Sequence, residues 1–127
     1  MAKKVFVFGS NEAGMHGGGA AKYAYEKKGA RYGKSYGHHG DSFAIPTMDS
    51  QMETLNLSHI QLYIYGFLAY AKGKHRVKFE VSRIGCGIAG LKDEDIAPLF
   101  VGAGRNILFD EEWRQYLGDD YQYWGTY

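Results

Sequence analysis

Two strand-like apolar runs each stop at a glycine cluster that opens towards a helix, and this repeated pattern restricts the chain to an α/β fold. The first run, Val5-Phe6-Val7-Phe8, is β-branched and aromatic without polar alternation, which predicts a strand buried on both faces, as in a parallel sheet. It halts at Gly9-Ser10-Asn11. After five intervening residues, Gly17-Gly18-Gly19 lead into a helix read over Ala20 to Lys28. Ala20, Ala21 and Ala24 give that helix a small face that fits close against a sheet. Gly29 suits its C-terminal cap, and Lys27 and Lys28 complement the dipole there. In the second unit, Val77, Phe79 and Val81 alternate with Lys78, Glu80 and Ser82. This predicts a strand running into Ile84 and meeting Gly85-Cys86-Gly87-Ile88-Ala89-Gly90. A helix is expected from about Ile96. Pro98 is tolerated only in a first turn, which favours Asp95 as N-cap, with Asp93 and Glu94 beside it at the positive end.

The elements between and after these units follow the same alternation. Residues 30–42, rich in Gly, Tyr, His and Ser, read as a loop. Ser42-Phe43-Ala44-Ile45 reads as a short strand ended by Pro46. Ser58-His59-Ile60-Gln61 matches a capping box with Ser58 as N-cap. Leu57, Ile60, Ile64, Phe67 and Ala71 then form one apolar stripe of a helix that ends at Gly73. Asn106 to Phe109 reads as a last strand, and Asp110-Glu111-Glu112-Trp113 starts a short helix. Residues 118–127 are aromatic and polar and receive no assignment. With no internal repeat or linker, the 127 residues are expected to form one α/β domain. A chain of this length buries roughly two-thirds of its unfolded surface, enough for a core without staples.

A strand, a glycine-rich loop and a helix N-terminus together make an anion site, because free N–H groups and the helix dipole face a ligand that glycine lets approach closely. The first loop alone is equally readable as a tight turn, and it has neither P-loop nor GxGxxG spacing. Two such loops after parallel strands lie at the same sheet edge, where α/β proteins hold ligands. Fifteen basic and fourteen acidic residues give a net charge of +1, without the basic excess usual for nucleic-acid binding, so nucleic acid is not expected as a partner. The apolar run at the N-terminus is too short for a signal peptide or membrane span, and the single cysteine, Cys86, precludes an intrachain disulfide. Both point to a cytosolic protein without a membrane partner.

The residues of both loops are also similar to those of a known family. Asn11 followed by Gly17-Gly18-Gly19-Ala20-Ala21 resembles the first ligand loop of macro domains. Ile84-Gly85-Cys86-Gly87-Ile88-Ala89-Gly90 resembles the second, an Ile-Gly-x-Gly-Ile-x-Gly pattern that wraps a diphosphate, and is the more specific match. The likeness runs over about residues 4–103, and the whole chain resembles a compact macro-like family found in phages and prophages. It implies a three-layer α/β/α domain with a mixed, mostly parallel central sheet, and a ligand such as ADP-ribose or another NAD-derived nucleotide, cyclic forms included. It also implies a role in sequestering an immune signal inside a bacterial host. Asn11 would then sit near the distal ribose, Gly17 to Gly19 beside it, and Gly85 to Gly90 around the phosphates. Two departures matter. The first strand begins too early for the extra strand and adenine-contacting Asp of many macro domains. Ala20-Ala21 stand where the hydrolytic members carry an Asp, which favours binding over hydrolysis of ADP-ribosyl or phosphoester bonds. A Rossmann-like nucleotide sensor is the third reading.

Other candidates divide between chemistry and packing. His16 is open to a role as hydrogen-bond donor to a phosphate or as general acid or base, with Asn11 as the other catalytic candidate; a solvated loop histidine is the alternative. Gly9, Ser10 and Asn11 are placed for ribose contacts, although Asn11 also suits a turn. Arg83 is open to two roles, reaching a diphosphate or pairing with an acid. Cys86, in a glycine loop near a helix N-terminus, is expected to have a lowered pKa, though no base accompanies it. Gly87, Ile88 and Ala89 complete the second loop. His38-His39 with Asp41 lack metal-ligand spacing, so neither metal nor resident cofactor is expected. Arg31-Tyr32-Gly33-Lys34-Ser35-Tyr36 reads as loop packing before base stacking. Tyr63, Tyr65 and Tyr70 read as core edge or as a homo-oligomer surface.

Overall fold

The computed structural model describes residues 3–127. Its six-stranded sheet is built from β1 (Lys3–Asn11), β2 (Gly37–His39), β3 (Ser42–Met48), β4 (Val77–Val81), β5 (Ile107–Asp110) and β6 (Gln122–Gly125). The order is β2-β3-β1-β4-β5-β6, parallel throughout except for the antiparallel edge strand β2. The helices are α1 (Gly19–Lys27), α2 (Leu57–Lys72), α3 (Asp93–Ile96) and α4 (Arg114–Leu117), with 3₁₀ turns at Ala97–Phe100 and Glu111–Trp113.

The apolar run of β1 is central, as its composition predicts. Alternate side chains go to opposite faces of the sheet. Val5 and Val7 join Phe43, Ile45, Phe79, Val81, Ile107 and Phe109 beneath the α2 stripe Ile60, Ile64, Phe67 and Ala71. Phe6 and Phe8 face the other way, against Ala21 and Ala24 of α1. The two helices thus cover opposite faces. The C-cap of α1 is Lys28 rather than Gly29, and Gly29 follows it with φ +78°.

Several boundaries differ from the sequence reading for identifiable reasons. The strand β1 runs on through Gly9-Ser10-Asn11, because β3 extends beside it as far as Met48. Pro46 does not end β3. Phe6 N–H donates to Asp41 O, so odd-numbered residues of β3 bond β1. Even-numbered ones, Pro46 included, face β2, whose pairing stops at Ala44, so the missing N–H breaks no ladder bond. The segment 30–42 contains the strand β2 rather than loop alone. Ser58 is not the N-cap of α2: Asn56 Oδ1 accepts from His59 N–H at 2.9 Å and also from Ser58 Oγ. Gln61 Nε2 bonds Tyr65 instead of reaching back, and Leu57, at the helix start, is exposed. Asp95 is likewise not a cap; α3 begins at Asp93 after Lys92, and Pro98 opens the following 3₁₀ turn. The unassigned tail supplies β6, parallel to β5. Trp124 Nε1 donates to Val81 O at 3.0 Å, and Tyr127 packs on Phe6 and Tyr23, so the tail shares the α1 face.

No helix among the described residues is long and apolar enough to cross a membrane.

Candidate functional site

The chain leaves β1 towards β3 on one side, whereas β4 leads to β5 on the other. Between β1 and β4 is therefore the topological switch point, where crevices open at the carboxyl ends of parallel strands. Pairing of these two strands ends at Val7 and Val81, while β1 continues beside β3. Ser82 fixes the point of departure, with both its N–H and its Oγ donating to Val7 O, at 3.0 and 2.7 Å.

A cleft of about 600 Å³ occupies this crevice. The first loop contributes Gly9, Ser10, Asn11, Met15 and Gly17 to Ala21; the second contributes Ser82 to Ala89. The two glycine clusters read from sequence are thus brought to one cavity. Gly90 has φ +73° and does not line it. At Gly9 a Cβ would lie 3.2 Å from Gly85 N, and Gly85 itself has φ +78° with Leu91 and Thr47 packed against it. Glycine at these two positions lets the second loop close down on the end of β1. Further out, the Ile88 side chain reaches over to Gly18 and Gly19.

Both loops carry backbone N–H groups without a backbone acceptor, set in a largely apolar lining. Gly18, the N-cap of α1, makes no side-chain cap bond, and the first turn contains no acidic residue. The first N–H groups of that helix, at Gly19, Ala20 and Ala21, are orphans by geometry. In the second loop, turn bonds use the N–H groups of Cys86, Gly90 and Leu91. Those of Gly85, Gly87, Ile88 and Ala89 have no backbone acceptor among the described residues. Met15, Met48, Met52, Ile84 and Ile88 add apolar wall.

The side chains named from sequence fare differently. Arg83 lines the cleft but is committed: Nε and Nη2 bond both carboxylate oxygens of Asp93 at 2.8 and 2.5 Å. Asp93 Oδ1 also accepts from Trp113 Nε1 at 2.6 Å. The guanidinium holds the Asp93 carboxyl down at about 2. Of the two roles open to Arg83, pairing with an acid is the one this geometry displays. Cys86 departs from expectation. Burial, with the Asp93 carboxylate next in effect, pushes its thiol up to about 12. The helix it was expected to gain from is a single turn, and its first residue brings a negative charge.

Asn11 spends its carboxamide on its own loop, Nδ2 donating to Met15 O at 2.7 Å and Oδ1 accepting from Met15 N–H at 3.0 Å. Its turn-forming role is the visible one, and its position lines the cleft. Ser10 Oγ is likewise turned to the backbone, donating to Ser35 O. His16 is not in the cleft. It is fully buried, packed edge-on to Phe8 and beside Tyr32, with Nε2 2.8 Å from Arg31 O. Desolvation lowers its pKa, and the neutral ring is part of how segment 30–36 packs down. Tyr32 and Tyr36 belong to the same packing: Tyr32 lies on Tyr25 and His16, and Tyr36 lies on Phe43 and Tyr63. Tyr65 is exposed, whereas Tyr70 packs on Phe43 and Phe79. Both ring nitrogens of His38 are engaged, by Tyr70 and Gly40, and no group of metal-ligating residues occurs among the described residues.

Sequence reasoning missed several lining residues, among them Thr47, Met48, Asp110 and Tyr127, as well as Met15, Met52, Ser82 and Ile84. The first three stand at the carboxyl ends of β3 and β5, so strand order would have placed them there. Asp110 is buried, its carboxylate accepting from Glu112 N–H and Thr126 Oγ1 at 2.9 and 2.8 Å. Tyr127 OH donates to Gly19 O at 3.2 Å; nothing in a polar aromatic tail signals that reach. No protein-family model matches the chain, nor does any curated protein or solved structure.

Proposed function

We propose that the cleft between the two glycine loops binds ADP-ribose or a related NAD-derived nucleotide, cyclic forms included. The observation that carries this reading is that two independent loops, each with backbone N–H groups lacking a backbone acceptor, line one cavity at the switch point. Such donors suit the spread charge of a diphosphate, and the apolar walls suit a ribose and base. The macro-like likeness of Ile84 to Gly90, and with it a macro-like three-layer arrangement, is part of the proposal. A protein holding such a nucleotide intact lowers its free concentration, which is the sequestering role that the resemblance implies.

Binding is favoured over turnover by where the titratable groups lie. His16 is turned out of the cleft, Asp110 is engaged by two donors, and the Cys86 thiol is held protonated. Calorimetry with ADP-ribose and the cyclic ADP-ribose isomers is expected to show binding, and chromatography after denaturing the complex is expected to return the ligand unchanged. A Cβ at Gly87 meets nothing within 4 Å, so Gly87→Glu should fold, yet it places bulk and negative charge among the donors. Its affinity is expected to fall at least about 100-fold, a loss of about 2.7 kcal/mol. Absence of heat with every nucleotide, or parental affinity in folded Gly87→Glu, overturns the assignment.

A further inference from the structure

We propose that the opposite edge of the sheet, at the amino ends of its parallel strands, is a second binding surface that takes the phosphodiester backbone of a nucleic-acid strand. The connection from α2 into β4 reads Lys72-Gly73-Lys74-His75-Arg76-Val77-Lys78, with four cations, a histidine and no carboxylate. All four cations are exposed. A cavity of about 560 Å³ opens there, lined by Lys72, His75, Lys78 and Arg105, and no Asp or Glu contributes to its walls. Lys4 stands beside Lys78 in the β1–β4 ladder, and ladder partners rise from the same face of strands less than 5 Å apart. Among the described residues, Lys4, Lys72, Lys78 and Arg105 enter no ion pair, although Lys3 nearby does, with Asp41.

Like charges gathered without counter-charge cost stability unless a partner supplies it. The dipole of α2 accounts for Lys72 and Lys74 at its C-terminus. It does not account for Lys78 on β4 or Arg105 before β5. The spacing is fixed, because Asn106 Nδ2 ties this loop to Ala71 O and Lys74 O at 2.9 and 3.0 Å. Asp49, Glu53, Asp93 to Asp95 and Asp110 to Glu112 lie towards the other end of the strands. Asp41, Asp119 and Asp120 stand at the amino ends of β3 and β6 but do not line this cavity, whose charged wall residues are Lys72, Lys78 and Arg105. The basic surface is concave, which fits a chain of phosphates better than the flat face of a bilayer.

The test is fluorescence anisotropy with a labelled single-stranded RNA and DNA of about a dozen nucleotides, across a salt series. Binding is expected at about 50 mM salt and should weaken with added salt. The Lys78→Gln/Arg105→Gln double variant should bind about 10-fold more weakly, with a log–log salt slope smaller by roughly 1.4, about 0.7 for each lost phosphate contact. A control pair towards the carboxyl edge, Lys22→Gln/Lys34→Gln, both exposed, and the cleft variant Gly87→Glu should both behave as the parent. Circular dichroism verifies that each variant folds. The proposal fails if neither oligonucleotide binds at low salt, if both double variants lose affinity equally, or if the protein binds vesicles of anionic phospholipid but no oligonucleotide.

Discussion

Asp93→Asn tests whether the second loop is held by the charge on Asp93 or only by its shape. The carboxylate receives both nitrogens of Arg83 and the indole N–H of Trp113, itself fully buried. Asparagine keeps an acceptor for Trp113 but loses the charge-assisted fork. Depression of the carboxyl from an ordinary 3.8 to about 2 corresponds at full strength to about 2.4 kcal/mol. The Arg83 side chain is 43% exposed, so solvent screening reduces this to about 1–2 kcal/mol. For a chain of this size that is a fall in Tm of about 4–7 °C. The sign sets the pH window. A carboxyl whose folded pKa is depressed contributes fully above its unfolded value near 4, and the contribution is lost as pH falls through about 2. Thermal unfolding of parent and variant, followed by circular dichroism from about pH 7 down to pH 2, should show a gap that is constant above about pH 4 and closes below it. A gap under about 1 °C at neutral pH, or one that persists undiminished at about pH 2, refutes the charge-based account.

Two further outcomes follow from local geometry. Asn56→Ala should cost about 1 kcal/mol in denaturant unfolding, because Asn56 Oδ1 caps α2, whereas Ser58→Ala should cost only a few tenths; the reverse order would restore Ser58 as the cap. Cys86, with its thiol pushed up to about 12, should react with iodoacetamide at about pH 8 at least about 100-fold more slowly than a free thiol, at a rate still rising at about pH 10. Labelling as fast as glutathione would contradict the packing given to the second loop.

What was legible in the sequence is what local pattern dictates. The apolar run of β1, the stripe Ile60, Ile64, Phe67 and Ala71, and the two glycine clusters each carry a periodicity or a backbone requirement within a few residues. The misreadings have a common source in contacts that sequence spacing does not display. Pro46 looks like a strand end until β3 is known to have a free flank beyond Ala44. Ser58-x-x-Gln61 fits a capping box, but Asn56 two residues earlier offers the same acceptor geometry and takes the His59 N–H. Cys86 sits at a helix N-terminus by sequence, yet the same turn brings Asp93 against it. His16 has the pKa and the position of a loop acid or base, but Phe8 and Tyr32 supply an aromatic site that buries it.

The charge inventory shows how a net charge near zero coexists with local concentrations of charge. Net charge enters long-range steering as a sum, whereas a bound anion senses fields within about 10 Å. In a parallel α/β sheet every strand begins at one edge and ends at the other, so residues of the connections segregate by which strand end they adjoin. Here the connection entering β4 holds cations and no carboxylate, whereas those leaving β4 and β5 hold Asp93 to Asp95 and Asp110 to Glu112 alongside Arg83 and Lys92; Asp41 before β3 and Asp119-Asp120 before β6 depart from this segregation. The nucleotide proposed for the cleft at the carboxyl edge would bring its phosphates against a nearby acidic background. Its one lining cation, Arg83, is neutralised by Asp93. For the proposed ligand that leaves directed N–H dipoles, which glycine loops present at close range, together with lining hydroxyl residues such as Thr47 and Tyr127. The cavity at the amino edge, lined by Gly102 and Gly104 as well as by Lys72, Lys78 and Arg105, has no carboxylate in its lining, and this local charge is the basis on which a polyanion is proposed there.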